Sequence, residues 1–261
     1  AWALPLSSLL FTRRLTMHVL PERVKDTLEP SSNFDQLEQE ALVLLKKIFG
    51  EQQHGKAALV SSFGAESAVL LHLLSRVNPD APILFIDTLM LFEETLQYQL
   101  ELADTLGLNN VIRVLPDLYE ARDMDPFGSM HLTDPDFCCD LRKIKPLENA
   151  LCEYNAWVSG RKRFHGEARA QLSVQEIDSE GRHKFNPLAD WKAGDIKAYF
   201  ERHPLFYRGF RSIGCSPCTT AVTNGEDPRS GRWRGQEKTE CGIHVDSRKL
   251  VRPTRTTETC K

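Results

Sequence analysis

The chain has 261 residues, of which 41% are apolar and 26% charged, and its 33 Lys and Arg against 36 Asp and Glu give a net charge of −3. A chain of this length and composition buries a large core without disulfides, so the collagen-like, disordered and disulfide-scaffold classes are excluded. No apolar run approaches the length of a membrane span. The charge balance argues against a globally basic nucleic-acid binder, but it is compatible with a local anion site.

The first 21 residues contain no acidic side chain and carry Arg13 and Arg14. This composition is typical of an organellar transit peptide, and the alternative is a mis-set or non-native leader ahead of Met17. We therefore expect residues 1–35 to be a leader or poorly ordered segment. The expected location is the cytoplasm, or an organellar stroma if residues 1–16 are a transit peptide.

The first half of the folded chain alternates short apolar runs with helical patterns. Residues 57–62 predict a strand, followed by a turn and an apolar helix, and residues 83–86 predict a second strand, followed by a helix that ends at Gly107. Residues 111–115 predict a third strand. Continuously apolar strands separated by helices indicate an α/β fold, a parallel twisted sheet with helices on both faces.

The second half is less regular. Residues from 116 onward are interpreted as a loop, until a helix over 146–154 and a fourth strand over 156–160. Residues 171–178 predict a fifth strand or a hairpin partner, and Asp190 is expected to cap the next helix. The predicted organisation is one α/β sheet domain over 36–207 and a Gly-, Pro- and Arg-rich C-terminal segment over 208–261, mobile or ordered by ligand.

A polar turn, SSFGAES at 61–67, lies where the first strand meets its helix. Gly64 permits backbone angles that aim amide groups outward, and such turns bind anions; a simple turn with a capping serine is the alternative. Neither GxxxxGK[ST] nor GxGxxG is present, which disfavours P-loop ATPases and dinucleotide enzymes.

Four of the seven cysteines form two close pairs, Cys138-Cys139 and Cys215-x-x-Cys218. Paired thiolates suit zinc or an iron–sulfur cluster, and adjacent cysteines are awkward for a single zinc ion. Buried unreactive thiols are the alternative. Cys215-x-x-Cys218 also matches a thioredoxin-like redox pair, but no strand precedes it and no helix follows.

Cys241 precedes His244 in ECGIH, on a polar stretch rich in arginine. Nearby positive charge favours the thiolate, which makes Cys241 a candidate nucleophile and a surface cysteine the alternative. Cys152 is expected in the core beside Leu151, and Cys260 is interpreted as incidental.

Basic residues follow predicted strands or lie near cysteines. Guanidinium groups bind phosphate and sulfate in a two-point manner, so these positions suggest a doubly anionic small substrate, with a solvated charged face as the alternative. They are Arg142, Lys143, Arg161, Lys162, Arg163, Arg169, Arg229 and Arg232.

Over roughly residues 40–250 the chain resembles the assimilatory adenylyl-sulfate (APS) and phosphoadenylyl-sulfate (PAPS) reductases of the iron–sulfur type. The resemblance rests on the stretches SSFGAES, LFIDT, CCDLRKIKPL, SGRKRFHGEARAQL, KFNPL, RSIGCSPCT, GEDPRSGRWRG and ECGIH. It implies an adenine-nucleotide α-hydrolase-like fold. It also implies a [4Fe–4S] cluster, in an electrostatic and structural role, on Cys138, Cys139, Cys215 and Cys218.

The resemblance further implies a function in sulfate assimilation and cysteine biosynthesis. Cys241 would attack the sulfonyl sulfur of adenylyl sulfate, AMP would leave, and thioredoxin or glutaredoxin would release sulfite from the Cys–S–SO₃⁻ intermediate. Lys143, Arg229 and Arg232 would neutralise the anions, and His244 would orient the thiolate. The expected substrate-binding residues are Ser61, Ser62, Gly64, Arg142, Arg161 and Arg169.

Two alternatives and the question of partners stay open at this point. The same chemistry on 3′-phosphoadenylyl sulfate is the nearest alternative, and an ATP-pyrophosphatase-like, zinc-stapled nucleotide-binding or tRNA-thiolation protein is a more distant one. Adenylyl sulfate is the expected substrate, because in this family the four cluster cysteines accompany the unphosphorylated nucleotide. No nucleic-acid or membrane partner is expected, and a homo-oligomer is left open.

Overall fold

The computed structural model describes residues 29–166, 169–206, 212–223, 226–227, 229–235, 238, 240 and 242–244. Among these residues the six strands are β1 Ala57–Ser61, β2 Ile83–Ile86, β3 Val111–Val114, β4 Ala156–Ser159, β5 Gln175–Ile177 and β6 His183–Phe185. The α-helices are α1 Phe34–Leu45, α2 Ser67–Ser75, α3 Glu93–Leu106, α4 Leu118–Met124, α5 Met130–Thr133, α6 Pro135–Cys139, α7 Lys145–Leu151 and α8 Ala193–Arg202.

The strands form one sheet in the order β3-β2-β1-β4-β6-β5. Every neighbouring pair is parallel except β5 and β6, which are antiparallel. Leu59 of the central strand β1 lies opposite Ile83 of β2 and Val158 of β4. The expected α/β class with a mostly parallel sheet is confirmed.

Both faces of the sheet are covered, as the continuously apolar strands predict. Leu59 of β1 faces a core that α1, α2, α3 and α8 complete, whereas Ala58 and Val60 face a smaller cluster with Leu147 and Leu151 of α7. Strand β3 departs from this rule, because Ile112 and Arg113 are exposed at the edge of the sheet. None of the helices in the described ranges is both long and apolar enough to cross a membrane.

The expectation of a loop from residue 116 is wrong, because three short helices, α4, α5 and α6, fill this stretch. Two of them begin at aspartates that cap their first turns. The Asp117 carboxylate accepts hydrogen bonds from the amides of Tyr119 at 2.9 Å and Glu120 at 2.8 Å. The Asp134 carboxylate accepts from the Phe137 amide at 2.9 Å, ahead of Pro135 in the first turn.

The expectation that Asp190 caps the next helix is also wrong. Helix α8 begins at Ala193, and the Asp195 carboxylate accepts from the backbone amide of Lys192 at 2.7 Å. Asp190 instead pairs with Arg163. The same Asp195 carboxylate accepts from the Ser31 amide at 2.6 Å, which ties the residues before α1 to the core.

Helix α6 continues through a π-helical turn, Asp140–Ile144, into α7. This segment buries Cys138, Cys139 and Lys143. Cys152, expected in the core, is exposed at the C-terminal end of α7. The domain boundaries at residues 35 and 207 stay predictions.

Candidate active site

A polar pocket lies at the C-terminal ends of β1 and β4, where ligands bind in open parallel sheets. Ser61 and Ser62 line it from the first strand, and Ser159 and Gly160 line it from the second. Ile213 and Gly214 of the C-terminal segment form part of the opposite wall. The Gly- and Arg-rich C-terminal segment therefore helps to build the pocket.

The turn after β1 has its unusual backbone angle at Phe63, whose φ is 49°, and not at Gly64 as expected. The Phe63 amide donates to the Ser61 hydroxyl at 3.1 Å, and its ring packs edge-on against Phe85. A Cβ at Gly64 would lie 3.3 Å from Ile213. Glycine therefore allows the C-terminal segment to approach this turn closely.

Glu66, at the start of α2, faces two basic side chains across the pocket. Its carboxylate lies 2.9 Å from Lys162 Nζ and 2.9 Å from His165 Nε2. Burial opposes ionisation, but Lys162 and His165 outweigh it and lower the pKa of Glu66 to about 2. Burial lowers the pKa of His165 below its ordinary value. The pocket thus contains a carboxylate that stays ionised near neutral pH.

Most of the predicted basic residues meet in this pocket. Those that line it are Lys143, Arg161, Lys162, Arg169, Arg229 and Arg232. Arg142 does not line the pocket: it is buried beneath, 2.9 Å from the Asp125 carboxylate and 3.3 Å from the Thr88 carbonyl oxygen. Its expected contact with substrate is therefore not supported by its position.

The three consecutive cations after β4 each have a carboxylate partner. Arg161 lies 2.5 Å from Glu176. Lys162 pairs with Glu66, and Arg163 pairs with Asp190. The positive charge of this run is consequently compensated within the protein.

Arg232 and Trp233 line the pocket, and each carries a buried hydrogen-bond donor. Among the described atoms, Arg232 Nε and Trp233 Nε1 are buried without a hydrogen-bond partner. The Arg232 guanidinium lies over the Trp233 ring, 4.5 Å from its centroid, and donates to the Ile213 carbonyl at 2.7 Å. Buried donors of this kind are costly unless they are satisfied.

The ECGIH stretch reaches the same pocket. Glu240 and Ile243 line it, and the turn Gly242–His244 packs against the π-helical turn after α6. Cys241 lies outside the described residues, and the structure describes His244 only as part of that turn. Their predicted roles therefore stay predictions.

The two cysteine pairs lie beside this pocket. Cys138, Cys139 and Cys215 are buried, Cys218 is half-buried, and all four are free thiols. Burial, together with the nearby Cys215 and Cys218 sulfurs, raises the pKa of Cys138 to about 11. Within the described ranges, no three His, Cys, Asp or Glu side chains converge closely enough to hold a single metal ion.

Residues 56–221 match the phosphoadenosine phosphosulfate reductase domain family. The chain belongs to this family. It is 44% identical over 225 residues to an adenosine 5′-phosphosulfate reductase from Chelativorans sp. (strain BNC1), covering 84% of this chain and 91% of that one. It is also 42% identical over 199 residues to a phosphoadenosine 5′-phosphosulfate reductase from Gloeobacter violaceus, covering 73% and 83%.

A solved structure supports the fold of this family. The crystal structure of phosphoadenylyl-sulfate reductase from Candida auris matches with a TM-score of 0.58 at 23% identity, covering 73% of this chain and 97% of that one. The expected adenine-nucleotide α-hydrolase-like fold is thereby confirmed.

Several pocket residues were not predicted as site residues. They are Glu66, His165, Trp233, Glu240 and Ile243. Each lies within a quoted motif, so the signal was present. What the sequence does not contain is the pairing of Glu66 with residues almost a hundred positions away.

Proposed function

We propose that this chain, an oxidoreductase of the family named above, reduces adenylyl sulfate to sulfite and AMP through a thiosulfonate on Cys241. The observation that carries the proposal is the position of Glu240 and Ile243, which line the same pocket as Lys143, Arg229 and Arg232. Cys241 lies between these two residues in sequence. A nucleophile and an anion-binding wall would therefore serve one pocket.

In the first step the Cys241 thiolate would attack the sulfur of the sulfonyl group. An S–S bond forms, the bond from sulfur to the bridging oxygen breaks, and AMP leaves with that electron pair. Lys143 and Arg232 would stabilise the charge that develops on the sulfonyl and phosphate oxygens. Both side chains line the pocket.

In the second step an external dithiol would attack the Cys241 sulfur and displace sulfite. Its second thiol then resolves the mixed disulfide, so the dithiol becomes a disulfide and Cys241 returns to the thiol state. Thioredoxin and glutaredoxin are reductants of this chemical class. We propose one of them as the donor.

The nucleotide would bind on the β1 and β4 side of the pocket. Ser61, Ser62 and Gly64 lie at the turn before α2, and Arg161 and Arg169 lie after β4. Helix N-termini and arginines both favour phosphate. Arg142 has no place in this proposal, because it is buried against Asp125.

We also propose that Cys138, Cys139, Cys215 and Cys218 ligate a [4Fe–4S] cluster. The four free thiols fit this group: they come from two segments, the sulfurs of Cys215 and Cys218 lie near enough to Cys138 to help raise its pKa, and sulfur is the donor that iron–sulfur clusters require. When bound, the cluster would hold the two cysteine segments together and tune the electrostatics around Lys143. The two reaction steps above need no electron from it.

Sulfite release tests the proposal directly. Purified protein supplied with adenylyl sulfate and reduced thioredoxin or glutaredoxin should release sulfite and AMP in equal amounts. Cys241→Ser should release neither but should still bind AMP, because the substitution removes only the nucleophile. Sulfite formation by the serine variant at the wild-type rate would show that another residue reacts.

A further inference from the structure

Glu240 forms ion pairs with two arginines of the pocket wall, Arg169 and Arg229. Its carboxylate receives two parallel hydrogen bonds from Arg169, Nε to Oε1 at 2.8 Å and Nη2 to Oε2 at 2.6 Å. Arg229 Nη2 lies 3.3 Å from Oε1 of the same carboxylate. The exposed fractions of the Arg169, Arg229 and Glu240 side chains are only 10%, 18% and 16%.

This geometry is the one by which guanidinium groups hold oxyanions. Two parallel N–H···O bonds to a planar carboxylate closely resemble the two-point contact with phosphate or sulfate. The pair of cations also needs an anion, because two largely buried guanidinium groups repel each other. In the structure the protein supplies that anion from its own chain.

The pair belongs to the pocket wall, so substrate and Glu240 compete for the same groups. Arg169, Arg229 and Glu240 all line the pocket. A nucleotide or sulfonyl oxyanion could gain these arginines only if the carboxylate releases them. Glu240 directly precedes Cys241 in sequence, so its release would act on the segment that carries the proposed nucleophile.

We propose that Glu240 is an internal substitute for a substrate oxyanion. It holds Arg169 and Arg229 in position while the pocket is unliganded, and it yields them to a phosphate or sulfate group on binding. Oxyanion binding is thereby coupled to the release of the residue next to Cys241. This inference rests on the proposed function and assigns Glu240 a positioning role, because it acts through the arginines and the adjoining segment.

Glu240 as a competitor of the ligand and Glu240 as a simple anchor of the C-terminal segment predict different changes in anion affinity when its charge is removed. If Glu240 competes with the ligand, its neutralisation removes the competing carboxylate from Arg169 and Arg229 and tightens anion binding. If Glu240 only fixes the C-terminal segment to the pocket, its loss leaves anion affinity unchanged or weakens it. Affinity therefore separates the two roles.

The test is titration calorimetry of the full-length holoprotein with AMP and, separately, with inorganic sulfate at constant ionic strength. Glu240→Gln, which keeps the size of the side chain, should bind at least one of the two anions about tenfold more tightly than wild type, on the scale of one charge-assisted contact. Tighter binding of AMP would identify the nucleotide phosphate as the competing group. Tighter binding of sulfate would identify the sulfonyl group.

Two further variants keep the test interpretable. Glu226→Gln removes a comparable carboxylate, 2.9 Å from Arg234 and outside the pocket lining, and should bind both anions as wild type does. Glu240→Asp keeps the negative charge on a shorter side chain, so this variant should bind the two anions with an affinity between those of wild type and Glu240→Gln. It also tests the ion pairs with Arg169 and Arg229 if the glutamine variant does not fold.

Binding of both anions by Glu240→Gln that is no tighter than that of wild type would overturn the proposal. The outcome is separable from the proposed function, which fails only if the wild-type protein releases no sulfite from adenylyl sulfate.

Discussion

The Thr88 hydroxyl lies 3.2 Å from the Cys215 sulfur, and Thr88 is fully buried. Thr88 follows β2, whereas Cys215 belongs to the C-terminal segment. A neighbouring contact joins the same two segments, since the Ser216 amide donates to the Met90 carbonyl at 2.7 Å. The second cysteine pair is thus fixed to the C-terminal edge of the sheet, next to the pocket.

The cysteine quartet predicts a selective loss of iron. Changing Cys138, Cys139, Cys215 or Cys218 singly to serine should remove most of the bound iron and sulfide and most of the activity, because each supplies one ligand to a shared group. Cys152→Ser is the control: Cys152 is disulfide-bonded rather than a free thiol and is exposed at the end of α7, so iron and sulfide should stay at wild-type levels. Iron and sulfide analysis of protein purified without oxygen checks this. About one zinc per chain and no sulfide would refute the cluster.

Lys143 is expected to act on the reaction itself. It is buried and lines the pocket, so Lys143→Ala should slow AMP release in a single turnover by about a hundredfold, as the loss of an oxyanion-stabilising group does. Lys145→Ala controls for charge and helix position, because Lys145 is half-exposed and pairs with Glu120 at 2.7 Å outside the pocket. Rapid-quench measurement of AMP gives the release rates of the two variants. Equal rates for the two variants would remove Lys143 from the mechanism.

The ion pairs of Arg161 and Lys162, which follow β4, affect which of the two nucleotides the pocket prefers. Arg161 is already paired with Glu176, and Lys162 with Glu66, so an additional 3′-phosphate finds little free positive charge there. We expect kcat/KM for adenylyl sulfate to exceed that for its 3′-phosphorylated form by about tenfold or more, on the scale of one charge-assisted contact.

The variant Glu176→Gln should narrow that ratio, because it leaves Arg161 without its carboxylate. Glu180→Gln, an exposed residue of the β5–β6 turn, should leave the ratio unchanged. A wild-type preference for the phosphorylated nucleotide at one ionic strength would contradict the assignment and leave the cysteine chemistry untouched.

A histidine cluster far from the pocket predicts loss of stability in acid. His72 Nδ1 lies 2.9 Å from the Tyr199 hydroxyl, and the His203 ring lies 4.8 Å from the His72 ring. Burial, with His203 and Arg76 nearby, lowers the pKa of His72 to about 4. The pKa of His203 is lowered too, again chiefly by burial, and Glu38 is the carboxylate that opposes both shifts.

The direction of the pH effect on folding stability follows from proton linkage. Between about pH 6.5 and pH 4 the unfolded chain binds more protons than the folded one, so stability is complete above pH 6.5 and is lost as the pH falls. From pH 7 to pH 5 we expect His72 to account for a loss of about 1 kcal/mol, after allowance for its partial exposure. Urea unfolding of wild type and His72→Gln at both pH values measures it. His131→Gln on α5 is the control, and a His72→Gln variant with the wild-type pH dependence would contradict the prediction.

The sequence was a good guide to the sheet and a poor one to the pairing inside the site. Strands β1, β2 and β4 are apolar except for the last residue of β1 and of β4, a serine in each, so their burial on both faces was predictable. Strand β6 was missed because His183-Lys184-Phe185 lacks an apolar run. Helices α4 and α6 depend on single aspartate caps and are too short for a periodic pattern.

In the site, too, the residue types were predictable and the side-chain pairs were not. Motifs indicated which residues surround the pocket, because the residue types suit anions and iron. They did not indicate that Glu240 holds Arg169 or that Glu176 holds Arg161, since such pairs depend on how distant segments pack. Arg142 was misplaced for the same reason: its partner, Asp125, lies in a stretch interpreted as a loop.

The most direct test of the account is the mass of the protein after reaction with adenylyl sulfate in the absence of any reductant. We predict release of one AMP per chain and a stable adduct with the mass of one SO₃ group, located on Cys241 by peptide mapping and removed as sulfite on addition of reduced thioredoxin. Cys241→Ser should release no AMP and carry no adduct. Release of AMP without an adduct, or an adduct on another cysteine, would contradict the central claim.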